Sequence, residues 1–366
     1  MSHVWLPCGD YHQTYEEDQG WWQTKFIKGK MILLLLIVFA GIPLLLDDYW
    51  ISVGTMVGYT AMGALGVQLL IGFAGLITLG HAAFIAVGAY ASTLLILQFP
   101  WPQFFLDWGL AYPISLLVAA VVAGLWSVLF GLPAAKVKGF YLILTTMAAQ
   151  FITVDFILTQ YISQIGGRGQ AFSLPPGTIK IGPVVVDTEK EIYYMMAVLL
   201  TLMVIVLANL LRSKPGRAWV AIRDNDIAAE ALGINIVWYK MLAFFVAGAM
   251  AGVAGAFWVS NTAALSPEHF PWFWSLWLVG VILIGGVGSI HGAIFGSIFM
   301  VVVMELLQMA VIPLSEYYPK LLIDFAFIKD AAFGLAICAF LIYEPNGLAY
   351  RWWQIKNYFN LWPFSY

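Results

Sequence analysis

Residues 192–211 read IYYMMAVLLTLMVIVLANLL, a stretch of twenty residues without a single charged side chain. A helix that crosses the hydrocarbon core of a membrane needs about 20 mostly apolar residues. This stretch is therefore typical of a transmembrane helix, and it decides the fold class from which the rest of the chain is interpreted.

Composition extends this conclusion to the whole chain. Of its 366 residues, 62% are apolar and only 10% are charged, whereas an average soluble domain has about 25% charged residues. A chain with so little polar material cannot cover a water-facing surface, so a soluble enzyme is excluded. The net charge of −3 leaves no basic excess that could hold the phosphates of a nucleic acid.

Further windows of similar length and composition follow one another along the chain. We predict an all-α, polytopic membrane protein with about ten transmembrane helices, at residues 31–46, 50–71, 81–98, 110–132, 139–158, 192–211, 239–260, 272–288, 292–312 and 321–343. Two glycine-rich stretches, GFAGLITLG at 72–80 and the end of window 272–288, predict broken or re-entrant helices. Such backbone is tolerated in a membrane only where protein or a watery cavity covers it.

The distribution of basic residues predicts the orientation of these helices. Most of the 17 Lys and Arg fall in loops on one side, and the positive-inside rule makes that side cytoplasmic. Both termini are then cytoplasmic. We predict a membrane domain at 31–344, whose longest cytoplasmic loop is 212–238. A cytoplasmic tail at 1–30, with Trp21 and Trp22 at headgroup level, precedes this domain. A second cytoplasmic tail, at 345–366 and rich in aromatic residues, follows it.

The cytoplasmic loop is the most informative polar segment. It reads RSKPGRAWVAIRDNDIAAEALGINIVWYK from Arg212, and its Pro215-Gly216 pair predicts a turn. Asp224 or Asn225 can cap a short helix, which Gly233 would end. Such a helix, with small apolar residues on one face, suits either a groove in a soluble partner or a position on the lipid headgroups.

Polar groups at membrane depth each require a reason, since an unpaired one costs roughly 2–3.5 kcal/mol. His81, Gln150 and Glu305 stand out, and each can serve either to bond helices together or to line a polar path. The glycine pairs Gly54/Gly58 and Gly248/Gly252 predict close helix packing, either within the chain or against a second subunit.

No catalytic or metal-binding set emerges from the sequence. It contains no Ser-His-Asp arrangement that can be argued and no HExxH or CxxC ligand pair. It also lacks the phosphate loop GxxxxGK[ST], because the Gly29-Lys30 dipeptide is followed by Met31. We therefore expect no enzyme activity and no cofactor in this chain, and any ATP that drives it must be bound by another subunit.

Several motifs resemble those of one permease family. AAEALGIN, at 228–235, is similar to the coupling loop of ABC importer permeases, and the longer run from Gly216 to Phe257 resembles the LivM-type permeases of branched-chain amino-acid importers. The same order of motifs continues in GFAGLITLGHAAFIAVGAYA from Gly72, LIGGVGSIHGAIFGS from Leu283 and EPNGL from Glu344. The chain departs from the family at two positions. Arg168 departs from the usual sequence of the family's outside loop, and Gln150 stands where the family commonly has an acid.

The resemblance implies a machine and a set of site residues. The expected partners are a second permease chain, two cytoplasmic ATPase subunits and an external solute-binding protein, in a bacterial inner (plasma) membrane, with a branched-chain or related amino acid as substrate. The residues expected to couple to the ATPases are Arg223, Asp224, Asp226, Glu230, Ala231 and Gly233. Those expected at the translocation path or gate are Gly75, His81, Gln150, Gly286, Gly288 and Glu305.

Two other functions remain open at this point. The first is a permease for urea or a short amide within the same family, because selectivity is expected to rest mostly with the binding protein. The second is an ion-coupled secondary transporter, which needs ionisable residues that converge at the midplane. Only Glu305 clearly qualifies for that role in this sequence.

Overall fold

The computed structural model describes residues 25–136, 139–162, 172–175, 177–315 and 324–361. The predictions for the N-terminal tail with Trp21 and Trp22, and for Arg168, lie outside the described residues. The helices are α1 Lys25–Leu36, α2 Ile42–Leu45, α3 Asp48–Val67, α4 His81–Gln98, α5 Gln103–Asp107, α6 Ala111–Lys136, α7 Phe140–Phe151, α8 Glu189–Arg212, α9 Lys214–Asp224, α10 Asp226–Ala231, α11 Ile236–Thr262, α12 Trp272–Gly285, α13 Ile290–Ser315, α14 Phe325–Tyr343 and α15 Gly347–Leu361.

Wider π-helical turns extend three of these helices. They occupy Ile37–Gly41 between α1 and α2, Gln68–Phe73 after α3, and Ile152–Ile162 after α7. The strands are two residues long: β1 Phe172–Ser173 pairs antiparallel with β4 Ala264–Leu265, and β2 Lys180–Ile181 pairs with β3 Val184–Val185. The all-α prediction is therefore confirmed.

The membrane-spanning helices follow the predicted windows closely. Within the described ranges, nine helical segments are long and apolar enough to cross a membrane, and the first window coincides with a shorter apolar stretch at Gly29–Leu45. The chain is thus a multi-pass membrane protein. The α12 helix itself has 14 residues, and together with the 3-10 turn Pro267–His269 before it, it forms the 19-residue segment Pro267–Gly285, which is one of these nine.

Both glycine-rich stretches interrupt the helices, as predicted, with residues that are not helical. The first leaves the helix after Phe73 and stays non-helical until His81, and the second links α12 to α13. Gly75, Gly286 and Gly288 have φ values of +69°, +114° and +82°. Glycine adopts such positive φ values without the steric cost of a Cβ atom, so these residues end the helices where they occur.

The centre of the bundle is a close contact of α4, α6 and α11. Backbone atoms of Gly252 lie where a Cβ atom on Gly88 would be placed, and the Ile85 carbonyl occupies the same place beside Gly255. The Ser127 hydroxyl donates a hydrogen bond to the Phe244 carbonyl across the α6–α11 contact, at 2.6 Å. The internal-packing interpretation of Gly248/Gly252 is therefore confirmed, and van der Waals contact of backbones stabilises this core.

A second group of helices packs beside this centre. Gly54 and Gly58 of α3 accommodate Tyr193 and Met196 of α8, so this glycine pair also packs within the chain. By contrast, α14 buries little of its surface against the described residues. Its face remains available to lipid or to another subunit.

Candidate functional site

The short loop helix α10 forms as the sequence predicts. The Asn225 side chain accepts a hydrogen bond from the Ala228 N–H at 3.1 Å, which satisfies one of the free donors at the helix start. Gly233 follows the last turn with a φ of +84°, a left-handed conformation that commonly ends helices. Asp226 lies in the first turn, where the helix dipole favours a carboxylate.

The turn predicted at Pro215-Gly216 is wrong. These residues begin α9, which runs from Lys214 to Asp224 with Ser213 before it. Proline suits the first turn of a helix because the N–H that it lacks has no partner there in any case. A Cβ atom on Gly216 would collide with the Leu211 backbone, so the glycine permits the sharp junction between α8 and α9.

The α9 helix is fixed to the membrane helices by a buried tryptophan. Trp219 is fully buried, and its indole N–H donates to the Tyr239 carbonyl of α11 at 2.8 Å. Ile222 on the next turn is also buried. The α9 helix is therefore packed directly on α11.

In contrast, α10 presents its apolar side chains outward. Ile227 is 74% exposed and Leu232 is 82% exposed, while Ala229 alone of the helix is buried. Glu230 and Ala231 are exposed beside them. A groove of about 340 Å³ borders Glu230 and Gly233. Ile227 on this helix and Leu232 at its C-terminal cap are thus two large aliphatic side chains that no described part of this chain covers.

Arg223 connects this region to both glycine-rich turns. Its guanidinium Nη1 donates to the Gly72 carbonyl at 2.8 Å, and its Nε and Nη2 donate to Asp224 Oδ1 at 3.0 and 2.9 Å. A Cβ atom on Gly75 would lie 2.9 Å from the Arg223 Cγ, and one on Gly288 would lie 3.4 Å from Nη1. One side chain thus joins α9 to two other segments, the two glycine-rich turns.

The two turns also contact each other directly. The Gln68 side-chain amide donates to the Gly286 and Ser289 carbonyls at 3.1 and 2.8 Å, and a Cβ atom on Gly72 would lie 2.6 Å from the Gly288 nitrogen. From the sequence alone, a glutamine at membrane depth such as Gln68 predicts only a hydrogen bond to some neighbouring helix. The structure shows that Gln68 joins the start of one glycine-rich turn to the Gly286 and Ser289 carbonyls of the other.

Nine of the twelve predicted site residues therefore lie at one end of the bundle, and the other three, His81, Gln150 and Glu305, do not. Arg223 and Asp224 lie beside Gly75 and Gly288, with α10 directly after them. His81 lies in the core: its imidazole is fully buried and packs against Gly66 and Phe84. Neither of its ring nitrogens has a hydrogen-bond partner within the described part of the chain.

Gln150 and Glu305 each bind a single helix neighbour. The buried Gln150 amide donates to the Phe270 carbonyl at 2.9 Å, next to the start of α12. The Tyr49 hydroxyl, in the first turn of α3, donates a hydrogen bond to the half-buried Glu305 carboxylate of α13. Each contact joins two separate segments of the bundle, and neither contact involves Arg223.

The opposite end of the bundle is aromatic. Trp258, Phe270 and Trp274 pack with ring centroids 5.2–6.1 Å apart, next to the β1–β4 pair. In the described ranges no three His, Cys, Asp or Glu side chains group as a metal site would require. The exposed apolar side chains of the loop and the contacts of Arg223 thus lie at the other end, which holds α10.

Comparisons with known proteins agree on one family. The sequence profile of "Branched-chain amino acid transport system / permease component" matches residues 49–328. The high-affinity branched-chain amino acid transport system permease protein LivM of Salmonella typhimurium is 28% identical over 88% of this chain and 75% of its own. The probable LivM of Methanocaldococcus jannaschii is 23% identical over 78% and 88%.

A related permease with a different solute also matches. The autoinducer 2 import system permease protein LsrC of Salmonella paratyphi B is 24% identical over 86% of this chain and 84% of its own. No solved structure matches the chain significantly.

Proposed function

Because the chain belongs to the branched-chain amino acid transport permease family, whose profile covers residues 49–328, we propose that it forms half of an ATP-driven import path for branched-chain or related amino acids. A second permease chain forms the other half. Two ATPase subunits bind at the α10 end, and an external binding protein delivers the solute at the opposite end. The multi-pass chain then resides in the bacterial inner membrane with both termini in the cytoplasm.

The observation that carries this proposal is the uncovered apolar surface on α10. A loop helix that merely connected two spans would gain nothing from Ile227 and Leu232 at 74% and 82% exposure. Amphipathic helices with such anchors bind in grooves of partner proteins. The sequence of this chain contains no phosphate loop, so a separate motor must supply the work.

The contacts of α9 and Arg223 provide the route by which that work reaches the membrane. A push on α10 acts on α9, which Trp219 fixes to α11. The same push moves Arg223, which binds the Gly72 carbonyl and contacts Gly288. Closure of the ATPases would thus shift α11 and both glycine turns together, as rigid-body coupling requires. Gly75, Gly286 and Gly288 are the gate elements in this proposal.

Substitution of Arg223 tests this route. In Arg223→Met we expect the ATPase subunits to co-purify normally while solute uptake per ATP hydrolysed falls about three- to tenfold. A hydrogen bond from a charged group contributes about 1.5–3 kcal/mol, and the 37% exposure of the Arg223 side chain reduces that value by solvent screening. The measurement is labelled uptake and ATP hydrolysis in the same vesicles.

Arg217→Met is the matched control, since this arginine lies on the same helix and donates to the nearby Arg212 carbonyl. Equal coupling ratios in the two variants would remove Arg223 from the proposed route.

The solute itself is tested by uptake in a strain that lacks this gene. We expect labelled leucine uptake at micromolar concentration to be lost and urea uptake to be unchanged. Loss of urea uptake with normal leucine uptake would instead assign the chain to a urea or short-amide importer. The branched-chain relatives support the first result, and the autoinducer relative is the reason to test the solute directly.

A further inference from the structure

Gln68 begins the π-helical turns Gln68–Phe73 that follow α3. Its side chain is fully buried, and its amide nitrogen donates to two backbone carbonyls of the other glycine-rich turn, those of Gly286 and Ser289, at 3.1 and 2.8 Å. Short π-helical turns are uncommon and occur frequently at functional sites. The position of this amide, at the start of such a turn and between two glycine-rich segments, therefore suggests a functional role.

The direction of the Gln68 amide group is fixed by its neighbours. Both partners are carbonyl oxygens, which only accept hydrogen bonds, so the amide nitrogen must face them. The Oε1 atom of Gln68 is buried and has no hydrogen-bond partner within the described part of the chain. A buried acceptor without a partner lowers stability. The side chain is thus placed to join the two turns, and this placement leaves its own oxygen unsatisfied.

The backbones of the two turns approach each other next to this amide. A Cβ atom on Gly72 would lie 2.6 Å from the Gly288 nitrogen and 3.1 Å from the Gln68 Cδ. The Gly72 carbonyl also accepts the hydrogen bond from Arg223, at 2.8 Å. Arg223 lies beside Gly288, whereas Gln68 binds the second turn with two directional hydrogen bonds. Gln68 therefore connects the segment that Arg223 binds to the second turn.

We propose that Gln68 is a positioning residue that joins the two glycine-rich turns into one gate body. This inference rests on the proposed function, in which these turns are the gate elements and Arg223 delivers the motion of the ATPases. Arg223 binds the first turn at the Gly72 carbonyl, and Gln68 carries the displacement to the Gly286 and Ser289 carbonyls. The second turn leads into α13, so this span follows the first turn only while the amide bonds are intact.

The first test measures the contact itself, by hydrogen–deuterium exchange of the purified full-length chain in lipid nanodiscs without ATPases. Gln68→Met keeps the length of the side chain and removes its donor. We expect the backbone amides of residues 286–292 to exchange about three- to tenfold faster than in the unmodified chain, the factor that corresponds to the loss of one net hydrogen bond. The other spans should exchange as before, which shows that the variant folds.

Ser92→Ala is the matched control for this exchange experiment. The Ser92 hydroxyl lies 3.1 Å from that of Ser115, and this buried hydrogen bond joins α4 to α6 without involving either glycine-rich turn. The control loses one buried bond between helices and should leave the exchange of residues 286–292 unchanged. Equal exchange of this segment in Gln68→Met and in the control would overturn the proposal, while the docking of ATPases on α10 would be unaffected.

The second test measures labelled leucine uptake per ATP hydrolysed by the complete importer in sealed vesicles. We expect this ratio to fall about three- to tenfold in Gln68→Met, with the ATPases still bound, because the second turn no longer follows the first. Residues of one network have non-additive effects, so Gln68→Met/Arg223→Met should lose no more than the larger single loss. Multiplied losses would indicate two separate routes and overturn the proposal. Faster exchange with an unchanged uptake ratio would contradict the gate assignment in the proposed function.

If Gln68→Met does not fold, Gln68→Glu decides. A carboxylate at this position turns acceptor oxygens toward the Gly286 and Ser289 carbonyls, whereas a protonated carboxyl group has one O–H donor. We expect residues 286–292 to exchange faster than in the unmodified chain at alkaline pH, and this difference to shrink at acidic pH. A difference that does not change with pH would contradict the role of Gln68 as a hydrogen-bond donor between the turns.

Discussion

Replacement of both Ile227 and Leu232 by aspartate is expected to release the ATPase subunits from the purified importer and to lower ATP-driven uptake by at least about tenfold. Each side chain offers an aliphatic surface whose burial in a partner contributes roughly 1.5–3 kcal/mol, and 1.4 kcal/mol already corresponds to a factor of ten in affinity. Aspartate would in addition bring a charge into an apolar groove. Co-purification of the ATPases with the tagged permease is the measurement.

The matched control is Ile181→Asp with Val184→Asp. These side chains are 37% and 50% exposed and lie in the β2–β3 pair, which belongs to a different segment from α10. The control should retain the ATPases. The docking role of α10 is contradicted if the Ile227/Leu232 variant keeps its ATPases as firmly as this control does.

The second large effect is expected from Gly252→Val in the central contact of α4, α6 and α11. A Cβ atom at this position would lie 2.8 Å from the Ala123 Cβ and would collide with the Ala119 carbonyl. Backbone atoms cannot move aside as a flexible side chain can, and overpacking of a close-packed core costs about 1–3 kcal/mol, occasionally more. We expect little monodisperse protein and a Tm at least several degrees lower than that of the unmodified chain.

Gly334→Val is the matched control, since a Cβ atom on Gly334 of α14 would meet no described atom within 4 Å. This variant should fold with an unchanged Tm. If Gly252→Val is as stable as Gly334→Val, the close contact of α11 with α4 and α6 does not exist in the membrane.

The spans and the loop helix could be predicted from sequence because their signals are local. An uncharged run such as 192–211 marks a membrane helix by itself. For α10, Asn225 and Gly233 set its two ends within a few residues of each other. The family motifs likewise indicated the correct permease family, since they occur in the expected order along the chain.

The remaining features depend on contacts between residues far apart in sequence. The Arg223–Gly72 bond joins residues 151 positions apart, and the Gln68–Gly286 bond joins residues 218 apart. Nothing near Arg223 in the sequence indicates either partner. The prediction of a turn at Pro215-Gly216 was wrong for a related reason. Proline and glycine are compatible with a turn and with the start of a helix, and the packing of Trp219 and Ile222 against the bundle favours the helix.

Gln150 and Glu305, which were predicted at the gate, also show that sequence alone does not identify a side chain's partner. A polar residue in a membrane helix suggests a functional role because burying it without a partner costs free energy. One hydrogen bond to a neighbouring segment offsets that cost just as a role in a solute path would. Gln150 binds the Phe270 carbonyl and Glu305 accepts from Tyr49. Their role in a solute path stays a prediction, while Gly75 and Gly288 gain support from their contact with Arg223.

The central claim, that a separate motor drives this chain through α10, is tested most directly by transport in sealed vesicles. The permease pair is reconstituted with binding protein and labelled leucine, with or without the ATPase subunits and ATP. We predict concentrative uptake only when both ATPases and ATP are present, and none under a proton or sodium gradient alone. Concentrative uptake that persists without the ATPases would contradict the account and indicate an ion-coupled transporter.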